Sequence, residues 1–321
     1  MKLKMMYSFL NSDINAIEKK LEETIQADSA LLKRASLHTL QAGGKRIRPV
    51  FVLLAGKFGR YDIQEMKNVA VALELIHMAS LVHDDVIDDA DLRRGKPTVK
   101  AKWDNRTAMY TGDFIFALAL ELMAEINKPL AHKILANTMV EVTIGEIQQI
   151  KDKYRFDQNL RDYLRRIKRK TALLISASCQ LGAIAADVEE SIHKKLYLFG
   201  YYVGMAFQIT DDILDFTSSE EDLGKPAGSD LLQGNITAPV LYAMEDVAIR
   251  IEIEKKVHEN MDPSEIQSII MLIKKSGAIE KSILLSDLYL NKALQILEEL
   301  PANKAKKTLR DIAKFIGRRK Y

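Results

Sequence analysis

Cysteine is nearly absent: one residue, Cys179, in 321. No disulfide can form within the chain, so a fold stapled by covalent bridges is excluded. Cys179 sits in the apolar run T-A-L-L-I-S-A-S-C, which reads as a core thiol rather than a nucleophile and agrees with a reducing, cytoplasmic setting. Proline (7) and glycine (15) are scarce, and no Pro/Gly/Ser-rich linker divides the chain. One domain covering 1–321 is therefore expected. No Asn-Gly stands between alternating runs, so the usual hairpin signal is missing. Also missing is a run of about 18 apolar residues, and the apolar start M-K-L-K-M-M-Y-S-F-L is too short for a signal peptide. Neither a membrane span nor a leader is expected. Net charge is only +3, with basic residues dispersed among acidic clusters, which argues against nucleic acid as the main partner.

What the chain does have is apolar residues at helical spacing throughout, so an all-α fold is expected. The spacing predicts helices over 8–27, with Ile14, Ile17, Leu21 and Ile25 on one stripe, and over 30–42, stopping at Gly43-Gly44. Another runs over 63–90, opened by Asp62. One or two fill 98–126, broken near Thr111-Gly112, with Trp103 as packing; others cover 130–152 and 158–186. Asp187 with Glu190 reads as a capping box for the next helix. Near the end, Asp262-Pro263-Ser264-Glu265 reads as a helix start with proline at N1. Leu285, Leu288, Ala293, Ile296, Leu297 and Leu300 form a core or interface stripe.

Acid is concentrated at two places. Residues 73–97 begin as an apolar helix and end with Asp84, Asp85, Asp88, Asp89 and Asp91, followed by Arg93 and Arg94. Asp84 and Asp88 share a helix face, ~6 Å apart along the axis. Like charges there repel, so something cationic should bind. Carboxylate oxygens favour Mg²⁺, which keeps waters and shares phosphate oxygens with a ligand. A solvated acidic helix end is the plainer alternative. A second copy weighs against it: 78–88 reads M-A-S-L-V-H-D-D-V-I-D and 205–215 reads M-A-F-Q-I-T-D-D-I-L-D. Asp211 and Asp215 again share a face, with Asp212 beside them. Two such triads can face each other across a cavity and hold several metal ions. Upstream, residues 43–49, G-G-K-R-I-R-P, read as a loop opening a helix. Backbone N–H groups near a helix start attract anions, and arginine grips phosphate in bidentate fashion. An ordinary turn with solvated charges is the alternative there.

Together these motifs resemble the trans-polyprenyl diphosphate synthases. That family's G-G-K-R-x-R-P stands at 43–49, its first D-D-x-x-D with R-R-G at 84–95, and its second D-D-x-x-D with G-K at 211–225. Within the family the chain is most similar to the large, catalytic subunit of the two-subunit heptaprenyl synthases. The resemblance implies an isoprenoid synthase fold, a helical bundle around a central catalytic cavity. It implies condensation of isopentenyl diphosphate with an allylic diphosphate, farnesyl or longer, to an all-trans, heptaprenyl product for a quinone side chain. Mg²⁺ would be held by Asp84, Asp88 and Asp211, which with Lys170 form the catalytic set. Lys45, Arg48, His77 and Arg94 would bind isopentenyl diphosphate. Arg93, Lys170, Thr171, Gln208 and Lys225 would meet the allylic diphosphate, and the departing diphosphate would take the final proton. His83 would only orient Asp84. Asn235 departs from the family, which often has lysine there. The basic end I-G-R-R-K-Y either closes over a diphosphate or frays into solvent. The family also implies a smaller, dissimilar partner subunit, with a homodimer as the fallback.

Three rivals remain. A class I terpene cyclase would carry Asn, Ser and Glu in its second motif, against Asp211 and Asp215 here. A non-catalytic partner subunit would not need intact acidic triads with Lys45 and Arg48. A farnesyl or geranylgeranyl synthase differs in product length alone. Ala79 and Ser80 lie about one turn below Asp84 at ~1.5 Å rise per residue. By resemblance, short-chain members place aromatic floors there. Both residues are small here, so a growing chain can pass toward Ile76, ~12 Å down by the same rise, and Leu73 beyond it. Ala79→Phe should therefore shorten the product and Ile76→Gly lengthen it, read by chain-length analysis of labelled product. An unchanged distribution in Ala79→Phe would mean that the chain grows elsewhere.

Overall fold

The structure is a computed structural model and describes residues 2–218, 227–259, 261 and 265–317. The described chain is built of α-helices, as the periodicity predicts, and its contacts fall into two compact units. The first comprises Met1–Ala136, Ala177–Tyr197 and Leu300–Leu309; the second comprises Asn137–Ser176, Leu198–Glu299 and Arg310–Tyr321.

The first unit is organised around the helix Ile63–Ile87, which Asp62 caps by accepting from the Gln64 N–H at 2.9 Å. Met66, Val69–Ile76 and Met78, Ala79 and Val82 are buried on it, so this helix is apolar nearly all round and belongs inside. It packs against Ile47–Gly56, Asn11–Thr24 and Asn105–Ala124. The last of these is long and apolar enough to cross a membrane. Here it is a core helix, with Ala108, Thr111, Gly112, Ile115, Leu118, Ala119, Leu122 and Met123 buried. The expected break at Thr111-Gly112 does not occur. Gly112 is instead a contact residue, because a Cβ there would lie 2.2 Å from Nε2 of His83.

The second unit has its own core of Tyr163, Ile209, Ile213, Phe216, Ile236, Ile253, Ile269 and Ile273. Arg166 is buried within it and donates to Gln158 Oε1 at 2.6 Å and to the Ile236 carbonyl at 2.5 Å. On Ala278–Glu298 the buried stripe is Ser282, Ser286, Leu290, Ala293 and Leu297, whereas Leu288 is 50% exposed. The serines belong to the core face because their hydroxyls are satisfied there: Ser282 donates to the Ala278 carbonyl and Ser286 to that of Ala206.

Other expectations need correction. The segment expected as one helix over 158–186 is Leu160–Ile167, a π-helical turn Lys168–Ala172, and Leu173–Ala185. Asp187 does not open the next helix. It has φ 54° and its carboxylate meets Lys128, while the helix begins at Glu190, which pairs with Lys194 at 2.6 Å. A hairpin exists after all: Leu92–Arg93 pairs with Lys96–Pro97 through a turn in which Arg94 and Gly95 have φ 55° and 75°. That is the turn geometry Asn-Gly usually signals, reached here with arginine in the first place. The start expected at Asp262-Pro263-Ser264 lies outside the described residues; Glu265 precedes the helix Ile266–Lys275.

Close backbone contact also sets the first unit's packing. A Cβ on Gly182 would lie 2.3 Å from the Val52 carbonyl oxygen. Gly182→Ala should therefore cost about 1–3 kcal/mol, read as a lower urea midpoint at unchanged m-value. An unaltered midpoint would show that the two segments have room to separate.

Candidate active site

In the first unit the glycine loop sorts its basic residues by direction. Lys45 is exposed. Arg46 has φ 48° and turns inward, buried, to Glu18 at 2.7 Å, Glu74 at 3.0 Å and the Leu40 carbonyl at 3.3 Å. Arg48, in the first turn of Ile47–Gly56, is half-buried; its Nε is sealed from solvent with no hydrogen-bond partner among the described residues. The hairpin lies over this loop. Arg94 Nη1 donates to the Gly43 carbonyl, Lys96 Nζ donates to that of Gln41 at 2.7 Å, and His38 Nε2 is 2.7 Å from the Pro97 carbonyl oxygen.

These elements line a small pocket whose walls include Arg46, Glu74, His77, Asp85, Arg93 and Arg94. Burial drives His77 well below the ordinary histidine range, and Arg48, Arg94, Arg93 and Arg46 push it the same way. The ring is neutral at neutral pH. Burial likewise lowers Arg48 to about 10 and lowers Arg94, which the neighbouring Arg93 pushes further the same way and Glu74 opposes. Arg46 is answered by Glu18 and Glu74, and Arg93 by Asp85 at 2.7 Å. Neither Arg48 nor Arg94 has a carboxylate ion-pair partner among the described residues. Positive charge is thus left over beside a neutral donor ring, which is an anion site.

The acid is also sorted. Asp85 is buried against Arg93; Asp89 and Asp91 meet Lys100. Asp84 and Asp88 stand one turn apart at the helix end, both half-buried, with the Asp88 N–H on the Asp84 carbonyl at 2.8 Å. Hard oxygens at that spacing suit a divalent cation. No group of three His, Cys, Asp or Glu forms a closed cage among the described residues. One or two carboxylates completed by water and phosphate is how Mg²⁺ is ordinarily held, so the residues fit. Along the same helix, Leu73, Ile76 and Ala79 are buried, and Ser80 donates to the His77 carbonyl at 2.8 Å.

In the second unit, side chains from three segments join in one line. Thr171 donates to Gln208 Oε1 at 2.7 Å, Gln208 Nε2 to Asp212 Oδ1 at 2.8 Å, and Tyr163 to Asp212 Oδ2 at 2.7 Å. Asp211, beside them, is exposed. Asp215 is buried and structural: it accepts from Ser229 at 3.0 Å and from the Asp230 N–H at 3.2 Å. Lys170 is held by Glu146 at 2.9 Å, and Arg169 by Glu141 at 2.8 Å. The π turn that presents Lys170 and Thr171 is admitted by two glycines. A Cβ on Gly145 would lie 2.6 Å from Arg169 Cβ, and one on Gly204 would lie 2.6 Å from Ala172 Cα. Such turns often mark functional sites. Lys225 lies outside the described residues. Asn235 donates its N–H to the Asp230 carbonyl at 2.8 Å.

The motifs did not point to Glu74 or Tyr163 as site-forming residues, and they contained Arg46 and Asp212 without giving either an inward, structural role. Glu74 left a trace, as a lone acid in the apolar run L-E-L-I-H.

The model of the polyprenyl synthetase family matches residues 29–273, a span that includes residues of both units. The chain is 65% identical to heptaprenyl diphosphate synthase component 2 of Geobacillus stearothermophilus over 321 residues, all of both chains. Among solved structures it is similar to a heptaprenyl diphosphate synthase from Staphylococcus aureus, with 44% identity, TM-score 0.92, and 97% and 98% of the two chains covered. A polyprenyl synthase from Caulobacter crescentus CB15, complexed with calcium and isoprenyl diphosphate, matches at 32% identity and TM-score 0.94, covering 99% and 98%. The chain belongs to the polyprenyl synthetase family, whose members are prenyltransferases. Its all-α architecture is that of the isoprenoid synthase fold.

Asp212 supplies a pH test. Burial pushes its carboxyl up to about 8, with Asp230 adding to the rise and hydrogen bonds from Tyr163 and Gln208 opposing it. The unfolded chain loses that proton near pH ~3.9, so between there and about 8 the folded state binds more protons. Stability therefore falls as pH rises through this window. Asp212→Asn should flatten the fall in metal-free protein, measured by urea unfolding between about pH 5 and 8. The same slope in wild type and variant would exclude a neutral Asp212.

Proposed function

We propose that this chain is the catalytic subunit of a heptaprenyl diphosphate synthase. It would condense isopentenyl diphosphate with a farnesyl or longer allylic diphosphate, and the product would serve as a quinone side chain. The observation that carries the reading is the unmatched charge of Arg48 and Arg94 around the neutral His77. A diphosphate answers both guanidinium groups, and a neutral imidazole can donate to it without adding charge. Lys45, exposed on the same loop, completes the isopentenyl diphosphate set.

Asp84, Asp88 and Asp211 would hold Mg²⁺. When bound, the metal neutralises charge on the departing diphosphate. Thr171 and Gln208, locked by Asp212 and Tyr163, offer a preorganised polar edge, and such fixed dipoles need no reordering as charge develops. Lys170, Arg93 and Lys225 supply further positive charge, with Lys170 exchanging Glu146 for phosphate. The departing diphosphate then takes the proton. Small, buried Ala79 supports growth of the chain along Ser80, Ile76 and Leu73. The relative's name, component 2, supports a dissimilar partner subunit, and a cytoplasmic, reducing setting agrees with the single buried thiol.

The test uses farnesyl diphosphate, labelled isopentenyl diphosphate and Mg²⁺, first with the pure chain and then with added cell extract. Heptaprenyl diphosphate is expected, with extract raising the rate; a hydrocarbon, or no product in either case, would refute the reading. Asp84→Ala and Asp211→Ala should each lower turnover by orders of magnitude while the melting temperature holds. Near-normal rates at saturating Mg²⁺ would remove the two-motif mechanism.

A further inference from the structure

We infer that His83 is a positioning residue that seats Asp84, and that Gly112 is required to admit it. The inference rests on the reading of Asp84 as a metal-holding carboxylate. Asp84 lies in the last turn of a helix that ends at Ile87. Helix ends fray, because their last carbonyls lack intrahelical partners. The direction of a carboxylate there depends on what ties the turn down.

The neighbouring side chain ties it to the helix Asn105–Ala124. His83 Nε2 lies 3.2 Å from the Met109 carbonyl oxygen and 3.3 Å from Asp113 Oδ1, two acceptors one turn apart on that helix. The His83 ring also stands 5.7 Å from the Phe116 ring. Successive helix residues are ~100° apart, so His83 can face this helix while Asp84 occupies another face. His83 thus acts on Asp84 through an anchor directed at the neighbouring helix.

Gly112 shows how tightly the ring is seated. A Cβ at that position would lie 2.2 Å from Nε2, 2.5 Å from Cδ2 and 2.9 Å from Cε1 of His83. A whole edge of the imidazole occupies the space that any other residue would fill. Packing alone would not require a donor. The placement of Nε2 between two oxygens makes the N–H part of the seat, which fixes the turn in direction as well as depth.

Groups that orient a metal ligand typically contribute ~10-fold or more to metal affinity. The experiment measures Mn²⁺ binding by electron paramagnetic resonance in the full chain with inorganic pyrophosphate present, alongside melting without metal. His83→Ala and Gly112→Ala should each weaken Mn²⁺ binding about tenfold. His83→Gln should recover part of the loss, because its amide can donate to the same oxygens. Asp113 is 62% exposed, so Asp113→Ala should fold normally and still weaken binding, by a smaller factor. If His83→Ala does not fold, Asp113→Ala decides the matter. Unchanged Mn²⁺ binding in the His83 and Asp113 variants, with loss in Asp84→Ala, would overturn this inference alone. Unchanged binding in Asp84→Ala as well would overturn the metal reading and the inference with it.

Discussion

Positive charge that the protein does not itself neutralise is the constraint on which the first unit's chemistry depends. Arg46, Arg48, Arg93 and Arg94 all act on His77. Such a gathering is costly unless each guanidinium finds an answering charge, because burial strips the water that would otherwise screen it. Two find one within the protein, Arg46 at Glu18 and Glu74 and Arg93 at Asp85. Arg48 and Arg94 find none among the described residues, and burial lowers Arg48 to about 10. A bound anion would answer that charge, which is why the proposed reading assigns a diphosphate to this place. The hairpin exists to bring Arg93 and Arg94 to this place, and its left-handed turn residues are part of the same requirement.

The second unit solves a different problem: it holds polar groups still inside an apolar core. A π turn turns Lys170 and Thr171 toward polar partners, and Gly145 and Gly204 let neighbouring helices approach it. Asp212, largely neutral because it is buried, accepts from Tyr163 and Gln208 and so fixes the amide that meets Thr171. The two acidic motifs are alike in sequence but not in use. In the first, the middle carboxylate, Asp85, is spent on an arginine; in the second, the last one, Asp215, holds the backbone of a short helix.

Both motifs and the glycine loop were legible as chemistry because charge at fixed spacing in an apolar context has few structural explanations. Helices were legible for the same reason that they fold: apolar positions at 3.6-residue spacing must be buried. Interruptions were not. Gly112 reads as a break and is a socket for His83, because a glycine's meaning lies in what stands opposite it. Ser282 and Ser286 look too polar for a core face, yet Ser282 bonds the carbonyl one turn back in its own helix and Ser286 finds the Ala206 carbonyl, which only the fold supplies.

By itself the sequence determined the helical architecture, the two acidic clusters and the basic loop, since periodicity and local charge are properties of neighbours along the chain. It could not decide which carboxylate or guanidinium of each cluster is used up inside the protein. Arg46 and Arg48 are two residues apart, yet one is turned inward to Glu18 and Glu74 and the other has no ion-pair partner among the described residues. That difference depends on partners 28 positions away in sequence. Tertiary structure decides it, because an ion pair forms only where folding brings two distant charges within a few ångströms and removes the water between them.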